Sequence, residues 1–150
     1  MPSDSGRLDD PSIPGEEALY RRLANAASTD FVVTDPVTGV RIPSSGVFKT
    51  NDADGISVYL DSVLSSAGLQ PADLLRAPNN AVCSVRAEAA RTNGLGVVRD
   101  PWPSDADDPT HPRHGAHALI TGTSQLGPKA ARRVARSLAS NSTMVLDPGT

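Results

Sequence analysis

Aromatic residues are scarce in this chain: two Phe, two Tyr and one Trp stand among 150 residues. Tyr20, Phe31, Phe48, Tyr59 and Trp102 must therefore each carry an unusual share of the packing, and most of the core falls to Val, Leu, Ile and Ala. Cysteine is scarcer still. Cys83 is the single one, which excludes an intrachain disulfide and suits a reducing compartment. In the run Ala81-Val82-Cys83-Ser84-Val85 it reads as a small buried hydrophobe. No apolar run approaches the roughly 20 residues that a membrane helix needs. Met1-Pro2-Ser3-Asp4-Ser5 lacks the basic start and apolar follow-on of an export signal. These absences predict a soluble, cytoplasmic protein with no membrane contact. Lysine is sparse too, and a basic set made almost entirely of arginine is a usual result of GC-rich coding, which points to a bacterial source. A net charge of −3 argues against nonspecific nucleic-acid binding by the molecule as a whole and leaves room for a local basic patch.

What is present is a globular middle, with 38% hydrophobic residues overall, in a length that fits one domain around one core. Residues 1–15, ending Pro11-Ser12-Ile13-Pro14-Gly15, combine prolines, acids and small polar side chains. They predict a disordered or loosely attached head, with the fold occupying residues 16–150. Glu16 and Glu17 suit the first turn of a helix, and Leu19, Leu23 and Ala26-Ala27 recur at helical spacing, so a helix is expected over about Glu16 to Ala27. Phe31-Val32-Val33, the turn residues Asp35-Pro36-Val37-Thr38-Gly39, and Val40-Arg41-Ile42 predict a hairpin that Pro43 ends. Ile56 to Leu60 alternates as a strand with one buried face; Asp61 or Ser62 then caps a short helix closed by Gly68, and Pro71 opens another. Further strands are expected at Ala81 to Ala87, Val97-Val98, Ala118 to Thr121 and Thr143 to Leu146, with a helix from Pro128 to Ala139 and an irregular Trp102 loop. Short strands and helices without strict βαβ alternation favour a single compact α+β domain with a mixed or antiparallel sheet and two to four short helices.

Chemistry concentrates in one segment, His111-Pro112-Arg113-His114-Gly115-Ala116-His117, which holds all three histidines. A shared metal is not expected. Extended chain rises about 3.1 Å per residue, so side chains three apart stand roughly 9 Å from one another, while ligands must converge to about 2.0–2.1 Å from one ion. His117 alone is the stronger candidate, because Ala118 and Leu119 anchor its backbone in a strand while its ring stands at the strand's mouth. There it either acts as a general base or hydrogen-bonds its neighbours in a structural role. Ser44, Ser45, Ser57 and Thr121 are hydroxyls that could meet it, and Arg41 could hold an anionic group. Gly122-Thr123-Ser124-Gln125-Leu126-Gly127-Pro128-Lys129 is superficially like a phosphate loop but fails, since Pro128 separates the second glycine from Lys129 and Ala130 stands where a hydroxyl is required. What survives is a helix N-terminus that could bind an anion. That helix carries Lys129, Arg132, Arg133 and Arg136, with Leu126, Ala130, Val134 and Leu138 for its buried side.

The blocks Arg41-Ile42-Pro43-Ser44-Ser45 with Phe48, Ser57-Val58-Tyr59, and His117-Ala118 with Gly122 resemble those of a group of small uncharacterised bacterial proteins. The resemblance spans Leu19 to Pro148 and implies a compact single domain whose polar residues share one face; it supplies no mechanism. The resulting expectation is a small accessory or protein-interaction module, without a cofactor. Its polar pocket would consist of His117 and Ser45 as the reactive pair and Arg41, Ser44 and Ser57 as ligand-binding groups. The face from Lys129 through Arg132, Arg133 and Arg136 is a second surface for a partner or an anion. One alternative is a transferase or hydrolase with His117 as general base. The other is nucleic-acid binding through the last helix, which the absence of interleaved aromatics and the acidic net charge disfavour.

Overall fold

The computed structural model describes residues 9–49, 55–101 and 115–148. Along them run β1 (Ala18–Leu23), β2 (Val32–Thr34), β3 (Arg41–Pro43), β4 (Ile56–Leu60), α1 (Asp61–Ser66), β5 (Ala81–Arg86), α2 (Ala87–Thr92), β6 (Gly96–Arg99), β7 (His117–Thr121), α3 (Pro128–Ser140) and β8 (Thr143–Leu146). Six strands form one sheet in the order β6-β7-β4-β1-β5-β8, with every neighbouring pair antiparallel, and β2 and β3 form a separate hairpin. This is the expected α+β domain, with the antiparallel alternative realised.

Each face of the sheet is read directly from the register. Leu19 lies opposite Leu60 and Val85, and Val58 opposite Ala118. One face therefore carries Leu19, Leu23, Ile56, Val58, Leu60, Cys83, Val85, Val97 and Ile120, all at 2% exposure or less. Over it lie α3 through Val134, Ala135, Leu138 and Ala139, α2 through Ala87 and Ala90, and the 3-10 turn Ser45–Phe48. The opposite face carries Tyr59, Val82 and His117 and is covered in part by Leu64 of α1 and Leu74 of the 3-10 turn Pro71–Leu74. Apolar side chains at spacings of one, four and five residues seat α3 on the main core, leaving the rest of its circumference to solvent.

The helix expected over about Glu16 to Ala27 is instead the central strand β1. Leu19 and Leu23 are four apart, a spacing that satisfies a helix face and a strand face equally. The tie is broken by partners, because β1 makes a six-residue ladder with β5 on one side and meets β4 on the other. Glu17 is buried, and its carboxylate accepts a hydrogen bond from the Ser62 amide at 2.8 Å, so it caps α1 rather than opening a helix of its own. Pairing of β1 with β4 stops after Tyr20. The Arg21 guanidinium fills the gap beyond, donating to Val47 O and Ser57 O at 2.8 Å each.

The head, too, is more ordered than composition suggests from residue 9 onward; residues 1–8 lie outside the described chain. Ile13 is 1% exposed and belongs to the core. The Asp10 amide donates to Val97 O at 2.8 Å, the Asp9 carboxylate accepts from the Val97 amide at 3.0 Å, and Asp9 pairs with Arg91 at 2.9 Å. This segment covers the outer edge of β6, whose free ladder groups would otherwise invite another strand.

Candidate functional site

His117 opens β7 opposite Tyr59. Its ring is 1% exposed and meets the Tyr59 ring edge-on, with centroids 5.5 Å apart and planes at 76°. Nδ1 lies 2.8 Å from Asp100 O and 3.2 Å from the Asp100 carboxylate, while the Asp100 amide donates to His117 O at 2.9 Å. Both oxygens facing Nδ1 are acceptors, so the ring carries its proton there. The result is a two-way link that joins the start of β7 to the end of β6. His117 is thus built into the sheet, and it lines none of the three cavities described below.

The residues expected to surround it do not come together. Arg41 sits on β3 and grips Asp147 with two hydrogen bonds, Nε to Oδ2 at 2.6 Å and Nη2 to Oδ1 at 2.9 Å, while Nη2 also donates to Ala26 O at 2.8 Å. These bonds raise the guanidinium's already high pKa, chiefly through Asp147. The grip holds the hairpin to the chain just after β8, on the far side of the sheet from β7. Four strand spacings separate β7 from β8, about 19 Å. Ser44 accepts a hydrogen bond from the Gly46 amide and caps the turn Ser45–Phe48, which packs on α3 over the main core. Ser44 and Ser45 therefore lie on the opposite face from His117. Ser57 and Thr121 share its face: Ser57 is diagonal to it across the β4–β7 ladder, at roughly 7–8 Å between Cα atoms, and Thr121 stands four residues along β7, about 13 Å away. His111 and His114 lie outside the described residues, and no group of His, Cys, Asp or Glu that could hold a metal is found among those described.

The helical set does come together. Lys129, Arg132, Arg133 and Arg136 are all exposed on α3, at spacings of three and four residues, so they form one stripe. None of the four makes an ion pair or side-chain hydrogen bond with the described residues. Every arginine described outside α3 is engaged: Arg21, Arg22, Arg41, Arg86, Arg91 and Arg99 through the bonds and ion pairs of the sheet and its edges, and Arg76 likewise.

Three concavities lie near these groups. The largest, about 720 Å³, opens where β8 stops short of the end of β5. Part of its polar wall is bonded internally, by Asn93 Nδ2 on Ser137 Oγ at 3.1 Å, Ser84 on Thr143 at 3.4 Å and Arg86 on Glu88 at 3.6 Å. A second, about 230 Å³, lies against Ala26, Pro78 and Pro148. The third, about 250 Å³, lies between the turn Ser45–Phe48 and the first turns of α3, with Phe48 and Val134 buried beneath and Lys49 and Arg132 exposed. Sequence reasoning placed the helix N-terminus here but missed this cleft, because Phe48 and Leu126 read simply as core.

Cys83 is fully buried on β5, and burial pushes its thiol up to about 12, against a small opposing pull from Arg21. Because only the thiolate attacks alkylating agents, native protein is expected to resist iodoacetamide at neutral pH and to label stoichiometrically once unfolded in guanidinium, as read by intact mass. Rapid labelling of native protein would place the thiol at a surface.

Comparison with protein-family models, with curated proteins and with solved structures finds no match to this chain.

Proposed function

We propose that this domain is a binding module that docks an acidic partner protein on the solvent face of α3. The observation that supports this is the cationic stripe from Lys129 to Arg136, which has no ion-pair partner among the described residues, on a helix with no acidic residue. Like charges three and four apart on a helix repel by about 0.2–0.5 kcal/mol a pair, and a cation in the first turn opposes the helix dipole. The isolated domain carries that repulsion, and an anionic surface laid along the stripe relieves it. A protein is favoured over nucleic acid, because the chain's net charge is −3 and α3 has no aromatic residue on which a base could stack. The hydrolase or transferase reading loses its support in the separation of Arg41, Ser44 and Ser45 from His117. A cytoplasmic setting, which the lone reduced Cys83 suits, belongs to the same proposal. Among the described residues no helix is long and apolar enough to cross a membrane.

The test is affinity purification from the source cells, wild type beside Arg132→Gln/Arg133→Gln/Arg136→Gln, eluted with rising salt. An acidic protein released stoichiometrically from wild type and absent from the variant is the expected result. Equal recovery with both chains overturns the proposal, and nucleic acid recovered in its place assigns the stripe to phosphates. The three side chains are exposed, so the variant's thermal melt should match that of the wild type to within a few degrees.

A further inference from the structure

The 250 Å³ cleft continues the cationic stripe, since Arg132 belongs to both. It differs from the rest of the stripe in having an apolar floor. Phe48 is 2% and Val134 4% exposed, with Leu126 and Ala131 half-buried beside them. Lys49 joins Arg132 in lining it, and neither cation has a partner among the described residues. Thr123, also in the wall, has a buried Oγ1 with no hydrogen-bond partner among the described residues. The first turn of α3 beside the cleft has no acid and no side-chain cap, so its amide dipoles add to the same positive field. Two like charges converging on one small hollow, with no described acid lining it, call for an occupant that is anionic at the rim and apolar beneath.

Size narrows the class. Pockets for drug-sized molecules run from about 300 to 1,000 Å³, so this cleft is small for a nucleotide or an extended cofactor and suits one large side chain. We infer that it is the anchor site of the acidic partner, receiving a single leucine-sized apolar residue flanked by Asp or Glu while the neighbouring carboxylates run along Arg132, Arg133 and Arg136. This inference rests on the reading of α3 as a docking face and names the kind of segment that docks.

Two synthetic peptides test it on the intact chain, Gly-Glu-Asp-Leu-Asp-Glu-Gly and its Leu→Ser counterpart, followed by chemical-shift titration. The Leu peptide should bind about tenfold more tightly and shift the resonances of Phe48, Ala131 and Val134, whereas the Ser peptide should shift only those of the stripe. Ala131→Leu, which fills the hollow with a residue that helices accept well, should erase the difference and leave affinity for the Ser peptide unchanged. Equal binding of both peptides to wild type overturns the anchor while leaving the stripe reading intact. Failure of both peptides to bind removes the stripe reading and the anchor with it. If phenyl phosphate fills the cleft and the Leu peptide does not compete, the occupant is a small acid and the inference is wrong.

Discussion

Gly55→Ala is expected to lower folding stability by about 3–5 kcal/mol, a large share of the roughly 5–15 kcal/mol that holds a domain of this kind together. Gly55 enters β4 with φ +127°, where an L side chain is strained whatever room it has. There is no room either. A Cβ at this position would stand 2.3 Å from Ile120 O and 3.1 Å from Ile120 C, both backbone atoms that no rotamer change can move aside. Ile120 is the ladder partner of Ile56, so relief of the clash must come from separating the first residues of β4 from β7. A urea midpoint that falls steeply with an unchanged slope is the expected result. By contrast Gly39 and Gly68, with φ +72° and +77° and nothing within 4 Å of an added Cβ, should lose only the strain of their backbone angle. Equal losses at all three positions would show that close approach contributes nothing at Gly55.

The need for glycine at position 55 was not legible in the linear sequence, where Asp54-Gly55 reads as an ordinary turn. What demands glycine is a carbonyl contributed from sixty-five residues downstream, at Ile120. Elements whose information is local were legible. Ile56 to Leu60 alternates, Thr143 to Leu146 is a short apolar run after a helix end, and α3 announces itself through Pro128 and its apolar stripe. Elements decided by partners were not. β1 has a residue spacing that two periods fit, and α2 is a six-residue helix that begins directly after β5 in a run whose apolar residues continue the strand. The candidate site divides in the same way. The stripe on α3 is a property of one helix and was visible as spacing. The grouping of Arg41, Ser44, Ser45, Ser57 and His117 depended on residues meeting through the fold, and the sheet sends Arg41 to the Asp147 edge, Ser44 and Ser45 over one face and His117 to the other.

His117→Ala is expected to lower stability by about 3–4 kcal/mol, and His117→Asn by at least about 1 kcal/mol less. Both variants open a cavity beneath the Tyr59 ring edge, because the imidazole is 1% exposed and packed on that ring. They differ at Nδ1. The asparagine amide nitrogen occupies nearly the position of the histidine Nδ1 and can still donate to Asp100 O, whereas alanine leaves that carbonyl and the Asp100 carboxylate without the donor that now stands 2.8 and 3.2 Å away. The reciprocal bond from the Asp100 amide to His117 O is made by backbone and persists in both. The ranking separates two roles for the ring. A histidine that ties the end of β6 to the start of β7 must cost stability when removed, and must recover part of it when a donor is restored at the same atom. A histidine kept for acid–base chemistry would be lost from asparagine and alanine variants alike, with little change in the midpoint of unfolding. Equilibrium denaturation of the three proteins side by side decides between them: wild type above His117→Asn above His117→Ala fixes the structural role, and three coincident transitions would return the ring to the search for a reaction.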